Sequence, residues 1–313
     1  MTDKSINVLL IEDNSGDRRL IQEMLSEVNG APFDPVCVDR LSAGLERISA
    51  NEIDVLLLDL ELPDSQGMDT FSRVQAQSSQ IPVIILTGLD DAMVAIRAVR
   101  EGAQDYLVKG QVDGNLLTRS MYYAIARKTA EKRVKHLNSI FRAFRSITLL
   151  TVVEKDRGCL LRKACDILED IRGYDAVWLG LLQNGGTFAT VVGSGVGFGS
   201  EENVPGLCDR LMRGDIPQCV SNALECGDRF MVVDKSISCE GCFFGDAYPE
   251  SETVIIPVGH EERLFGLFIV SLATDLATEY EEIELLMDVS DNVGFALHTL
   301  EMEDSILKRC EVR

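Results

Sequence analysis

Short runs of branched apolar residues punctuate the first third of the chain: Val8-Leu9-Leu10-Ile11, Val55-Leu56-Leu57-Leu58, Val83-Ile84-Ile85-Leu86 and Tyr106-Leu107-Val108. Bounded by turn residues, such runs predict strands buried on both faces of a parallel sheet. Phe33 to Val38 supplies a further strand, and helical stretches start near Ser15, Ser42, Met68, Asp91 and Asn115. Strand and helix therefore alternate, which predicts an α/β domain with a five-stranded parallel sheet and helices on both of its faces.

The last of these helices has no stop signal where the alternation ends. From Leu116 to about Leu150 there is neither proline nor glycine, and Ala130, Val134, Leu137, Phe141 and Phe144 repeat in heptad fashion. A long helix joining two domains is expected, with a seam for a partner chain. Beyond it the pattern changes. Cys159 to Arg172 reads as a helix, Ala176 to Leu182 and Phe188 to Val192 as strands joined by the hairpin signal Asn184-Gly185-Gly186, followed by a glycine-rich irregular region to Gly227. Arg229 to Val233, Val254 to Val258 and Leu264 to Leu272 read as further strands, so an antiparallel sheet of the α+β kind is expected. The expected division is a first domain over 1–127, a helical linker over 128–150 and a second domain over 151–313. In the closing helix Ile283, Leu286, Val293, Leu297, Leu300 and Leu307 keep heptad register. A homodimer through the linker and C-terminal helices is expected, the alternative being that each helix covers its own sheet.

Length and charge narrow the class. A chain of 313 residues with 46% hydrophobic content can bury two cores, and no apolar run is long enough to span a membrane. Met1 to Ser5 runs straight into the first strand without a signal peptide, so a soluble cytoplasmic protein is expected. The net charge of −21 argues against direct nucleic-acid binding. Residues 119–145 run against that trend, with eight Lys or Arg and only Glu131 opposing them. This reads as the solvated face of the linker, the alternative being a basic helix that touches nucleic acid or acidic lipid.

The four apolar runs of the first domain each end in a polar group. The first leads into Glu12-Asp13, the second into Asp59, the third into Thr87-Gly88 and the last into Lys109-Gly110. In open α/β sheets the carboxyl ends of the strands form the ligand site. Parallel packing would bring Glu12, Asp13, Asp59, Thr87 and Lys109 to one pocket. The three carboxylates and one ammonium leave a charge that a divalent ion would neutralise, and carboxylates with water describe a Mg²⁺ site. Asp59 would then be free to act as a nucleophile towards phosphorus, with metal and Lys109 offsetting charge on the phosphoryl oxygens. Asp13-Asn14-Ser15 reads equally as a helix cap.

This ordered set, over roughly residues 5 to 127, resembles the receiver domain of two-component response regulators. The resemblance implies a flavodoxin-like, doubly wound sheet. It also implies phosphorylation of Asp59 with Mg²⁺ held by Glu12, Asp13, Asp59 and the Glu61 backbone carbonyl, and a switch in which Thr87 and Tyr106 move towards the phosphate. The implied partner is a histidine kinase or phosphotransfer protein. The implied chemistry is that of a phosphoacceptor with self-phosphorylation and slow dephosphorylation, not of an enzyme acting on other molecules. The family usually has proline after the lysine, where this chain has Gly110.

Residues 135 to 303 resemble a GAF domain, a small sensory module. The resemblance rests on the helix before Arg172-Gly173-Tyr174, the hairpin carrying Trp178, Ser251 to Val258, and Leu264-Phe265-Gly266-Leu267-Phe268. It implies an antiparallel sheet with helices on one face and a loop-built pocket on the other, and leaves its ligand unknown. Nine cysteines without a secretory signal read as thiols or metal ligands rather than a disulfide framework. Cys239-Glu240-Gly241-Cys242, with Cys219 and Cys226 upstream, is the candidate metal or redox cluster. Two readings follow: a response regulator that passes its signal through the linker to a GAF-like domain, or a cysteine-based metal or redox sensor with the receiver as input, as part of a larger sensor kinase or cyclase. A flavodoxin-like hydrolase working through an aspartyl phosphate is a third. His136, His260 and His298 read as structural, with His260 in an exposed turn.

Overall fold

The computed structural model describes residues 5–27, 33–50, 53–88, 92–183, 187–195, 207–233 and 251–311, side chains at 92, 207–209 and 308–311 excepted. The chain divides into two compact units, Met1–Lys135 and His136–Arg313.

In the first unit the strands are β1 (Ile6–Ile11), β2 (Phe33–Val38), β3 (Val55–Asp59), the two-residue pair β4 (Glu61–Leu62) and β5 (Ser65–Gln66), β6 (Val83–Thr87) and β7 (Asp105–Val108). The main sheet runs β2-β1-β3-β6-β7, every neighbouring pair parallel. Strand order reverses between β1 and β3, so a crevice opens beyond their carboxyl ends. The uninterrupted apolar runs have the physical role expected of them. Leu9, Ile11, Leu56, Leu58 and Ile85 point to one core, shared with α2 (Leu41–Ala50), α3 (Met68–Gln77) and α4 (Ala92–Arg100). Val8, Leu10, Val55, Leu57, Ile84 and Leu86 point to the other, shared with α1 (Ser15–Ser26) and the start of α5 (Gly114–Val153). Alternation along each strand thus feeds both faces. Each fully buried leucine contributes about 1.5–3 kcal/mol.

Helix ends are set by local chemistry. Asn14 accepts the backbone N–H groups of Gly16 and Asp17 to start α1. Asp64, reaching from the turn between β4 and β5, accepts those of Leu41 and Ser42 at the head of α2. Asp113 accepts the Leu116 N–H to open α5, which then runs unbroken for 40 residues, about 60 Å.

The second unit begins within α5 and continues with α6 (Arg157–Arg172), β8 (Ala176–Leu182), β9 (Phe188–Gly195), α7 (Leu207–Met212), α8 (Gln218–Cys226), β10 (Met231–Val233), β11 (Ser251–His260), β12 (Arg263–Ala273), α9 (Thr274–Ala277) and α10 (Tyr280–Glu311). Its antiparallel sheet runs β10-β11-β12-β8-β9. Ala143 and Ile147 of α5, Leu161 and Leu168 of α6, and Leu286, Val289 and Val293 of α10 cover one face. Leu211, Val220 and Ala223 of α7 and α8 cover the other, around Trp178, whose ring meets Phe188 edge-on at 6.0 Å. The stretch expected to be irregular up to Gly227 therefore holds two short helices. They are separated by Gly214, at φ +89°, and Pro217, which interrupt any longer periodicity. His260 ends β11 rather than lying in the following turn, half-buried, with its ring 5.0 Å from that of His298. The close approach of α10 to β11 requires glycine: a Cβ on Gly294 would lie 2.1 Å from the Gly259 carbonyl oxygen.

Candidate functional site

Asp59 is the last residue of β3, hydrogen-bonded within a sheet that buries every other side chain of that strand, so its carboxyl group emerges at the crevice. Its Oδ1 accepts the Glu61 backbone N–H at 3.0 Å and its Oδ2 accepts from Lys109 Nζ at 2.6 Å. Lys109 is delivered by the end of β7, where its backbone N–H donates to the Thr87 carbonyl at 2.8 Å. Gly110 follows at φ +81°, a conformation closed to proline, so the turn after the lysine is made by a left-handed residue.

Glu12 lies one residue past β1 and is fully buried. Its Oε1 accepts the Asn14 N–H at 3.1 Å, while Oε2 is 2.6 Å from Lys109 Nζ, an ion pair that lacks hydrogen-bond geometry. Burial, reinforced by the Asp59 charge and only partly opposed by Lys109, pushes the Glu12 carboxyl up to about 7. For Lys109, burial works against the charged form, but the hydrogen bond to Asp59 and the close negative charges of Asp59 and Glu12 outweigh it and raise the ammonium above its usual range.

Ligand oxygens of Glu12, Asp13 and Asp59 lie within 4.8 Å of one another, two of these residues buried and Asp13 exposed. Among the described residues this is the one group of three or more His, Cys, Asp or Glu side chains close enough to share an ion. The donor set fits Mg²⁺: hard carboxylate oxygens, one of them a buried atom with no hydrogen-bond donor, and an open side at Asp13 for water. Thr87 is buried at the end of β6, one residue beyond the Leu86 that pairs with Asp59, and its hydroxyl donates weakly to Gly88 O at 3.3 Å. Tyr106 is half-buried against the core containing Ala95 and Ala98 of α4.

Residues 8–120 match the response regulator receiver domain family. They are a receiver domain. Two curated relatives are MalR of Bacillus subtilis (strain 168), a transcriptional regulatory protein 31% identical over 104 residues, and KdpE of Escherichia coli (strain K12), a KDP operon transcriptional regulatory protein 34% identical over 124. The matches take in 33% and 40% of this chain and 44% and 53% of those regulators, so the chain spans about half of their length or less. A solved receiver domain protein from Clostridium thermocellum is 32% identical, covering 40% of this chain and 98% of that one, with a TM-score of 0.36.

The receiver's acidic mouth also contains a residue that strand-end reasoning did not find. Asp17, in the first turn of α1, places Oδ2 3.3 Å from Lys109 Nζ. The signal available in sequence was the Asn14 cap, which turns the chain back over the strand ends. Beside Lys109, a small cleft of about 30 Å³ is lined by Leu20, Ile21, Met24, Gly110 and Val112, with Leu20 exposed.

The cysteine cluster fares differently. Cys219 is buried near the start of α8, and Cys226 is exposed at its end, about 10 Å along the axis. One helix thus carries these two cysteines apart. Cys239 and Cys242 lie outside the described residues. No described helix is long and apolar enough to cross a membrane.

Proposed function

We propose that this chain is a two-component signalling protein whose receiver domain accepts a phosphoryl group on Asp59 from a histidine kinase or phosphotransfer protein. The observation that carries the reading is the Lys109 ammonium held 2.6 Å from Asp59 Oδ2 beside the buried Glu12. An Asp59 oxygen forms the new bond to phosphorus as the donor's bond to it breaks. The electron pair of the broken bond goes to the leaving group, which as a histidine nitrogen takes up a proton from solvent. Lys109 meets the charge that develops on the phosphoryl oxygens, and Glu12, Asp13, Asp59 and the Glu61 carbonyl would hold Mg²⁺, which supplies further charge neutralisation when bound. The apolar cleft around Leu20 gives a donor protein a surface next to that chemistry. Thr87 and Tyr106 then follow the new charge of about −1.5 to −2.

The signal leaves along α5, the single helix that enters the second unit. That unit is read as a GAF-like sensory module of unknown ligand, on the strength of its central antiparallel sheet with long helices on one face and short ones on the other. The chain is read as cytoplasmic and as a homodimer. Supporting dimerisation, Val134, Leu137 and Phe141 stand 57%, 42% and 62% exposed on one side of α5.

The test is intact mass after incubation with Mg²⁺ and acetyl phosphate, beside Asp59→Ala. A labile gain of one phosphoryl group in the parent and none in the variant is expected. A gain that survives in Asp59→Ala, or none in either, defeats the proposal.

A further inference from the structure

A buried charged network lies in the second unit, where α5 enters it. Glu282, in the first turn of α10, is fully buried. It accepts hydrogen bonds from Arg172 Nε at 2.9 Å, from Arg172 Nη2 and from the Tyr174 hydroxyl. Arg172 ends α6 with its side chain 5% exposed, and Gly173, at φ +68°, turns the chain so that Tyr174 reaches the same carboxylate. Burial and the neighbouring Glu282 charge keep the Tyr174 phenol neutral, a donor at all ordinary pH.

What α5 adds to this network is small and one-sided. Arg172 Nη1 donates to Ser139 Oγ, and Arg172 Nη2 is 3.4 Å from His136 Nδ1. His136 Nε2 is buried 3.6 Å from Glu282 with no hydrogen-bond partner. Glu282 is therefore satisfied by α6 and β8-side residues alone, and removing α5 frees one hydroxyl and one imbalanced imidazole. The contacts that follow on α5, through Ile140, Ala143, Phe144 and Ile147, are apolar and non-directional, and the next polar one is the hydrogen bond from Asn292 Nδ2 to Thr148 Oγ1 at 3.3 Å, more than two turns beyond Ser139. The apolar contacts hold the helix down, and at its entry Ser139 and His136 add the directional contacts. A buried ion pair adds little net stability over an apolar substitute, and its best attested use is to fix register.

We infer that Arg172, Glu282 and Tyr174 form a fixed seat on which Ser139 and His136 latch α5, and that α5 leaves this latch as a local step while the sheet and α10 stay folded. The inference stands on the second unit alone. Joined to the function proposed above, it makes His136 and Ser139 the first points at which movement of α5 is felt there.

Hydrogen exchange of the full chain, without Mg²⁺ or phosphodonor, tests the latch. Ser139→Ala removes the acceptor for Arg172 Nη1, and a bond to a charged group is strong enough that exchange over residues 137–144 should rise tenfold or more. Alanine is the better helix former, so a role in helix propensity alone would lower exchange. Arg172→Lys, which keeps the charge for Glu282 but loses the fork, should give the same local rise. Strand peptides over residues 254–270 should be unchanged in both. Unaltered exchange at 137–144 in Ser139→Ala, or a rise shared equally by the strands, overturns the inference. Because no phosphoryl transfer is involved, failure here leaves the Asp59 mass test untouched, and the reverse.

Discussion

Glu12 shows how the acidic mouth is balanced. Without a metal its carboxyl is held up to about 7 by burial and by Asp59, against 4.5 for a free glutamate. Between those values the folded chain keeps a proton that the unfolded chain has released, so this group's contribution favours the folded state below about pH 4.5 and is lost as pH rises through 7. The loss is on the order of 3 kcal/mol. A divalent ion requires the deprotonated form. Mg²⁺ should therefore raise the unfolding temperature more at pH 8 than at pH 6, and Glu12→Gln should flatten that difference; thermal unfolding with and without Mg²⁺ at the two pH values reads both. Equal Mg²⁺ shifts at pH 6 and 8 in the parent chain would contradict the assignment. The main residues of this mouth were legible because each follows an apolar run, and parallel strands deliver their ends to one edge. Asp17 was not, since its position depends on how α1 folds back. Arg172 and Glu282 were not either: they are 110 residues apart, and only packing of α6 against α10 makes them partners.

At the scale of elements, the same reasoning meets its limit in the helices. A heptad stripe shows that one side of a helix is apolar without saying what covers it. In α10, Ile283, Leu286, Val293, Leu297 and Leu300 are buried within their own unit, while Leu307 is exposed. The C-terminal stripe is thus largely occupied by its own sheet and neighbouring helices, the alternative that the spacing had left open. The price of that packing is close backbone contact at Gly294. Gly294→Ala should destabilise the second unit by about 1–3 kcal/mol, since the carbonyl of Gly259 has no side chain that could yield. Denaturant midpoints would check it, and a neutral substitution would mean that α10 can shift. On the receiver, α1 presents Leu20 beside Lys109. Leu20→Asp should slow phosphotransfer from a protein donor about tenfold while leaving transfer from acetyl phosphate unchanged, because the small donor needs no docking surface. Equal slowing with both donors would place the effect in the chemistry instead.

For the whole molecule, the question is where a second copy would find an attractive surface on a chain of net charge −21. Like-charged chains repel, and the long-range field opposes association except where its sign changes. Residues 119–145 are where it changes, with eight cations against Glu131, and the exposed Val134, Leu137 and Phe141 lie inside that stretch. Farther along α5, Val152 is 71% exposed and continues the same side of the helix. Apolar contact there would be flanked by cations able to meet the acidic surface of a partner copy. Phe141→Glu should therefore convert a dimer to a monomer, with little change in thermal stability because Phe141 leaves no cavity behind it. Light scattering at tens of micromolar protein, with and without acetyl phosphate and Mg²⁺, reads the outcome. A parent chain that stays monomeric in both conditions would show that this stripe does not join two copies, and the signal entering α5 would then have to act within one chain.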